Sequence, residues 1–247
     1  MGRGAWLPAL VVAGGAAWSA TQVVGLLARG RAVVAAHAGR FVRRVRPGSR
    51  RVLVVGDSSA AGVGASSPGR SVAGQLAARH PSWSIGNLAF NGCRTAQVAR
   101  LLTRLRRRTR PAGHHDRPYD LLIVHVGGVD ALHGTPLDEL RVDLLQIIGA
   151  AVAVADETII VSGGNLALAP GLPAPLSWWI GRRSRQVREL FRRLVPGHHV
   201  VYVDLFRERD TDPTIGQARR YFAADGLHPS DENYALWVDA IDAAAAR

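Results

Sequence analysis

The chain is expected to fold as an α/β domain, a parallel sheet with helices on both faces. Three observations lead there. Short runs of β-branched and aliphatic residues recur along it, helix-like stretches alternate with them, and the first run ends abruptly in a glycine-containing turn, as buried parallel strands do. The strand-like runs are Val52–Val55, Trp83–Leu88, Leu121–Val126, Thr158–Val161 and Val200–Leu205. Between and after them, helices are expected at Ser71–Arg79, Thr95–Arg108, Pro136–Ala155, Gly181–Leu194 and Asp231–Ala246. Thr95–Arg108 places Val98, Leu101, Leu102 and Leu105 on one face. Pro136 suits a first helical turn. There is no internal repeat.

At 247 residues, the chain divides naturally into one domain and an N-terminal appendage. Residues 51–247 form the expected domain, 29–50 a basic linker and 1–28 a membrane anchor or signal-like segment. From Gly4 to Ala28 there is no charge. As a helix this run would span roughly 37 Å, enough for a hydrocarbon core of about 30 Å. It ends in Arg29-Gly-Arg31 without a clean cleavage site. The expectation is a retained single-pass apolar helix, the alternative a cleaved signal and a secreted domain. Arg29, Arg31, Arg40, Arg43, Arg44 and Arg46 follow it, so the positive-inside rule puts the domain on the cytoplasmic side.

The net charge of +12 invites a nucleic-acid reading, but its distribution opposes one. Residues 1–51 hold nine arginines and no acid, whereas the rest holds 22 arginines against 19 acids. The basic run Arg104–Arg110 lacks the interleaved aromatics of a single-strand binder. The sole cysteine, Cys93, excludes an intramolecular disulfide and reads as a small buried residue. His114-His115 and His198-His199 lack neighbouring ligands at metal spacing, and His125 reads as a packed strand residue. Neither a metal nor a cofactor is expected, and the oligomeric state is not legible.

The chemistry concentrates in two places. Arg51-Val-Leu-Val-Val-Gly56-Asp57-Ser58 delivers a serine to the carboxyl edge of the sheet, where such folds place ligands. Asp225-Gly-Leu-His228, just before the last helix, puts an acid and a histidine on one loop. Histidine can take the serine proton while the carboxylate fixes its tautomer.

Gly-Asp-Ser after the first strand and Asp-x-x-His before the last helix resemble the SGNH, or GDSL-type, hydrolases: esterases, lipases and thioesterases. The resemblance covers roughly Arg51–Ala246. It implies a three-layer, doubly wound, flavodoxin-like sheet of five strands. It also implies Ser58 as nucleophile, His228 as base and Asp225 as its orienting acid, with Asp57 and Asp130 bracing their loops. The second-block glycine falls on Gly92. The third block, usually Gly-x-Asn-Asp, reads Gly127-Gly128-Val129-Asp130. Valine there removes a side-chain oxyanion donor and leaves the amides of Ser58 and Gly92. Loss of one such donor typically costs about 10²–10³ in turnover. Asn91 and Asn165 are the candidate replacements.

Pro170–Ile180, rich in proline and carrying Trp178 and Trp179, is read as a wall of an acyl pocket, a bilayer-touching surface or a lid on the core. The leading expectation is a membrane-anchored serine hydrolase acting on a small ester, thioester or lipid acyl group. A non-catalytic ligand-binding module with a degenerate oxyanion hole is the alternative. A basic nucleic-acid binder ranks last.

Overall fold

The computed structural model of the chain describes residues 25–37, 39–44, 48–108, 117–195 and 199–246. Five strands, β1 (Arg51–Gly56), β2 (Ser84–Asn87), β3 (Tyr119–Val126), β4 (Ala155–Ser162) and β5 (Val200–Asp204), form one parallel sheet in the order β2-β1-β3-β4-β5. This is the doubly wound order, whose ligand crevice opens between β1 and β3 where the winding reverses.

Strand alternation divides the core in two. Val52, Val54, Leu121, Ile123, Ile159 and Val161 face helices α2 (Val72–Arg79) and α8 (Asp231–Ala245). Leu53, Val55, Leu122, Val124 and Ile160 face α3 (Thr95–Arg108), α5 (Leu137–Val154) and α6 (Leu176–Leu194). Three short helices, α1 (Ser58–Ala61), α4 (Gly128–His133) and α7 (Ala218–Tyr221), lie in the connections. They are too short to show a period in sequence. Helix α6 starts at Leu176, not at Gly181, so Trp178 and Trp179 belong to its first turn and a half.

The last residues of the segment expected to be an anchor, 25–28, and part of the expected basic linker are packed on the domain. Residues 25–35 are helical, and Leu26 is buried with Ala169, Leu172 and Ile180. Val33, Val34 and Phe41 pack against the α2/α8 core. Arg43 then pairs antiparallel with Ile85, exchanging both backbone hydrogen bonds at 2.9 and 2.7 Å and covering part of the sheet's β2 edge. Most of the apolar run, residues 4–24, lies outside the described residues, as do His114, His115 and His198. Among the described residues no helix is long and apolar enough to cross a membrane.

Candidate active site

Gly56 ends β1 at φ +147°, and a Cβ there would lie 2.1 Å from the His125 carbonyl oxygen. Only glycine fits, because the β1 end is pressed against β3. Asp57 follows as the N-cap of α1, its carboxylate accepting the Ser59 amide at 3.0 Å. Ser58 is thereby set at the first position of that helix, beside the crevice.

The histidine loop is a tight hairpin. Phe222 and Pro229 bridge its stem, and the Ala223 amide donates to the His228 carbonyl at 2.8 Å. Asp225, buried at the tip, accepts the Leu227 and His228 amides at 2.9 and 3.0 Å through Oδ1. Its Oδ2 lies 2.6 Å from His228 Nδ1, and His228 Nε2 lies 3.2 Å from Ser58 Oγ. Burial alone would raise the Asp225 pKa; the imidazole and the two amides outweigh it and hold the carboxyl below its ordinary value. A Cβ on Gly64 would meet the Pro229 carbonyl oxygen at 2.4 Å, so the end of the serine loop and the histidine loop are in close contact. Ser58, His228 and Asp225 thus form one continuous hydrogen-bonded chain.

Asp130 joins the other two blocks. Its Oδ2 accepts from the Thr95 amide at 3.0 Å and the Thr95 hydroxyl at 2.6 Å, and its Oδ1 from the Thr135 hydroxyl at 2.9 Å. Thr95 opens α3, three residues after Gly92, whose φ of +72° turns the loop beyond β2. Val129 is buried in the first turn of α4. Asn165 is committed in part elsewhere. Its amide donates to the Arg207 carbonyl at 3.1 Å, and its oxygen caps the turn at Ala167 at 3.2 Å. One of its two amide protons is thereby taken, while Asn91, the other candidate, is exposed. Cys93 is buried, and burial first, then Asp57 and Asp130, push its thiol up to about 12. At neutral pH it is a protonated, inert packing group.

His125 is the packed strand residue that its sequence implies; two features had no sequence signal, its charge coupling to Asp57 and the placement of the N-terminal segment. His125 is buried at the end of β3, edge-on to Trp237, close enough to Asp57 for their charges to interact. Burial pushes the Asp57 pKa up and the His125 pKa down, and each group partly counters the other's shift. Both border a cavity of about 80 Å³ that Trp237 and Leu227 close with apolar surface. The second feature is the N-terminal segment at the rim. A Cβ on Gly30 would lie 3.9 Å from Asp225 Oδ2, and His37 Nε2 is buried with no hydrogen-bond partner among the described residues. Burial, Arg40 and His228 all lower the pKa of His37. Alternation and motif spacing carry no information about a chain segment folded back over a site.

A model of the GDSL-like Lipase/Acylhydrolase family matches residues 54–236. No curated protein sequence matches significantly. Among solved structures, a lipolytic protein of the G-D-S-L family from Veillonella parvula aligns with a TM-score of 0.56 at 18% identity, covering 77% of this chain and 95% of that one. The lipase Lip_vut3 from a goat rumen metagenome aligns with a TM-score of 0.56 at 16% identity, over 79% and 97%. The salicylyl-acyltransferase SsfX3 of a tetracycline biosynthetic pathway aligns with a TM-score of 0.53 at 22% identity, covering 80% of this chain and 54% of that one. At these identities the likeness is one of fold.

Proposed function

We propose that this chain, which belongs to the GDSL-like lipase/acylhydrolase family, is a serine hydrolase that cleaves a carboxylic ester, thioester or lipid acyl bond through Ser58, His228 and Asp225. The hydrogen-bonded run from Ser58 Oγ through the imidazole to Asp225 is the observation that carries this reading. Ser58 attacks the carbonyl carbon as His228 Nε2 takes its proton. Asp225 keeps the other imidazole proton on Nδ1 and stabilises the imidazolium. The oxyanion is received by the Ser58 and Gly92 amides. His228 then protonates the leaving alkoxide or thiolate. Water, deprotonated by the same histidine, releases the acid and regenerates the serine. No cofactor is needed. Leu132, two residues beyond Asp130, and Leu227, next to His228, pack on the cluster of Leu26, Leu172 and Ile180, which supplies an apolar wall for the acyl group.

The N-terminal run makes this a membrane-attached enzyme, with its domain on the cytoplasmic side. A second reading, a binding module without turnover, is favoured by Val129 alone. Hydrolysis of a short p-nitrophenyl ester decides between them. Wild type should turn over, and Ser58→Ala, His228→Ala and the double variant should all fall to a similar residual level, since groups acting as one unit are non-additive. Activity that survives in Ser58→Ala removes the nucleophile from this reading. A folded wild type that binds esters without turnover selects the binding module.

A further inference from the structure

We infer that one rim of the catalytic cleft, built from residues 25–29 and the start of α6, is a docking surface for an anionic lipid bilayer. The inference rests on the hydrolase reading above and adds which way the cleft faces. Trp178 is 71% exposed, Leu27 56% and Trp179 41%. Their neighbours Leu26, Leu172 and Ile180 form the buried cluster that flanks the catalytic loops. Across the mouth, Leu88 and Phe90 are exposed as well, on the loop whose Phe90 amide donates to the Gly56 carbonyl. Exposed large apolar side chains therefore stand on two segments that follow the carboxyl ends of β2 and β4, the edge that also carries Ser58. Scattered singly they would mean nothing; gathered around one cleft they mark an interaction surface.

Charge points to the partner. The first turn of α6 contains no acid. Trp178, Arg182, Arg185 and Gln186 line an open groove of about 410 Å³. Arg185 is held by Glu208 at 2.7 Å, whereas Arg182 has no acidic partner among the described residues. Arg29 and Arg31 are exposed on the N-terminal helical stretch. An exposed tryptophan that shares a groove with two arginines suits the headgroup layer of an anionic membrane, where aromatic rings and guanidinium groups are both favoured. The chain path points the same way. Residues 4–24 carry no charge, and Leu26, two positions beyond that run, is fixed in the cluster at this rim. Apolar sequence thus joins the domain at the mouth of the cleft, and any bilayer that holds it lies against Trp178 and Leu27.

Full-length protein in vesicles of phosphatidylcholine, alone or mixed with phosphatidylglycerol, tests this. A bimane label at Trp178→Cys should be quenched by doxyl-labelled lipid, more strongly with phosphatidylglycerol present. A label at Val152→Cys, at the far end of α5, should not. Equal quenching at both positions, or none at 178, overturns the docking. Cross-linking of position 178 between two copies without lipid quenching also overturns it, in favour of self-association. In parallel, Trp178→Ser/Arg182→Ser should lose about tenfold or more in hydrolysis of an ester presented in mixed vesicles, as expected for losing one interfacial aromatic and one cation. Its rate on a soluble ester should not change. Equal losses on both substrates assign these residues to the cleft and sink the proposal. Quenching at 178 in a protein that hydrolyses nothing would uphold the docking and end the hydrolase reading instead.

Discussion

Replacing Asp130 should cost both stability and turnover, through hydrogen bonds that can be counted. The carboxylate is buried and accepts three: the Thr95 amide, the Thr95 hydroxyl and the Thr135 hydroxyl. Hydrogen bonds to a charged acceptor contribute about 1.5–3 kcal/mol each, and a buried amide left unpaired costs about 1–3 kcal/mol. In Asp130→Ala the two hydroxyls can rotate to other acceptors, but the Thr95 amide cannot. A loss of about 3–5 kcal/mol follows, in the range for breaking a buried network. Asp130→Asn keeps one oxygen for Thr95 and can donate its amide to the Thr135 hydroxyl, so about 1 kcal/mol is expected. Denaturant unfolding reads both numbers. Turnover should follow, because Thr95 fixes the loop carrying Gly92. An oxyanion amide that drifts loses up to about 10²–10³ in kcat, with little change in KM for a small ester. Asp130→Ala unfolding within 1 kcal/mol of wild type, at wild-type kcat, would refute the bracing argument. So would an Asp130→Asn variant as damaged as the alanine one.

The remaining predictions are more direct. Asp225, held below its ordinary value of 3.8, stays ionised from pH 5 to 8, so this carboxyl should add no step to the kcat/KM profile there; a step in that range that disappears in Asp225→Asn would contradict this. The depressed carboxyl pKa also stabilises the fold above pH 3.8, and this is lost as pH falls through the folded-state value, so Asp225→Asn should be less stable at pH 7 and converge with wild type in acid. Val129→Asn should raise kcat by up to about 10² with little effect on KM; if it gains nothing and neither Asn91→Ala nor Asn165→Ala loses activity, block three no longer serves an oxyanion. Deleting residues 1–24 should release the protein from carbonate-washed membranes with its stability intact. Deleting residues 1–28 should also lower stability by about 2 kcal/mol, because Leu26 leaves a buried cluster; equal unfolding midpoints for the two truncations would contradict that.

Much of this site is legible in the sequence because glycine and short polar residues mark places where the backbone has few options. The run into Gly56-Asp57-Ser58 could only be a buried strand ending at an edge, and the Asp225–His228 spacing fits one tight loop. Helix α3 is found at its expected bounds because its apolar face repeats cleanly over 14 residues. What stays hidden has physical reasons too. Helices α1 and α4 are shorter than two turns and have no period to detect. Helix α6 begins five residues early, its start disguised by prolines and a Trp-Trp pair. The packing of Val33 and Val34 is masked by surrounding arginines that suggest a solvated linker, and that of Leu26 by the uncharged run that suggests an anchor. The partners of Asp130 are tertiary: the spacing of Thr95 and Thr135 says nothing of a shared carboxylate. The order of the strands comes from the family resemblance, since alternation of strand and helix fixes parallelism but not sequence order across the sheet.

The central claim is that Ser58 is a nucleophile activated by His228, and covalent capture tests it most directly. A fluorophosphonate probe, followed by peptide mass mapping, should leave one adduct, on Ser58 in the peptide that follows β1. Labelling should vanish in Ser58→Ala and slow markedly in His228→Ala, because the imidazole that sits 3.2 Å from Ser58 Oγ takes the proton during attack. An adduct on another residue, or folded wild-type protein that stays unlabelled, would contradict the account.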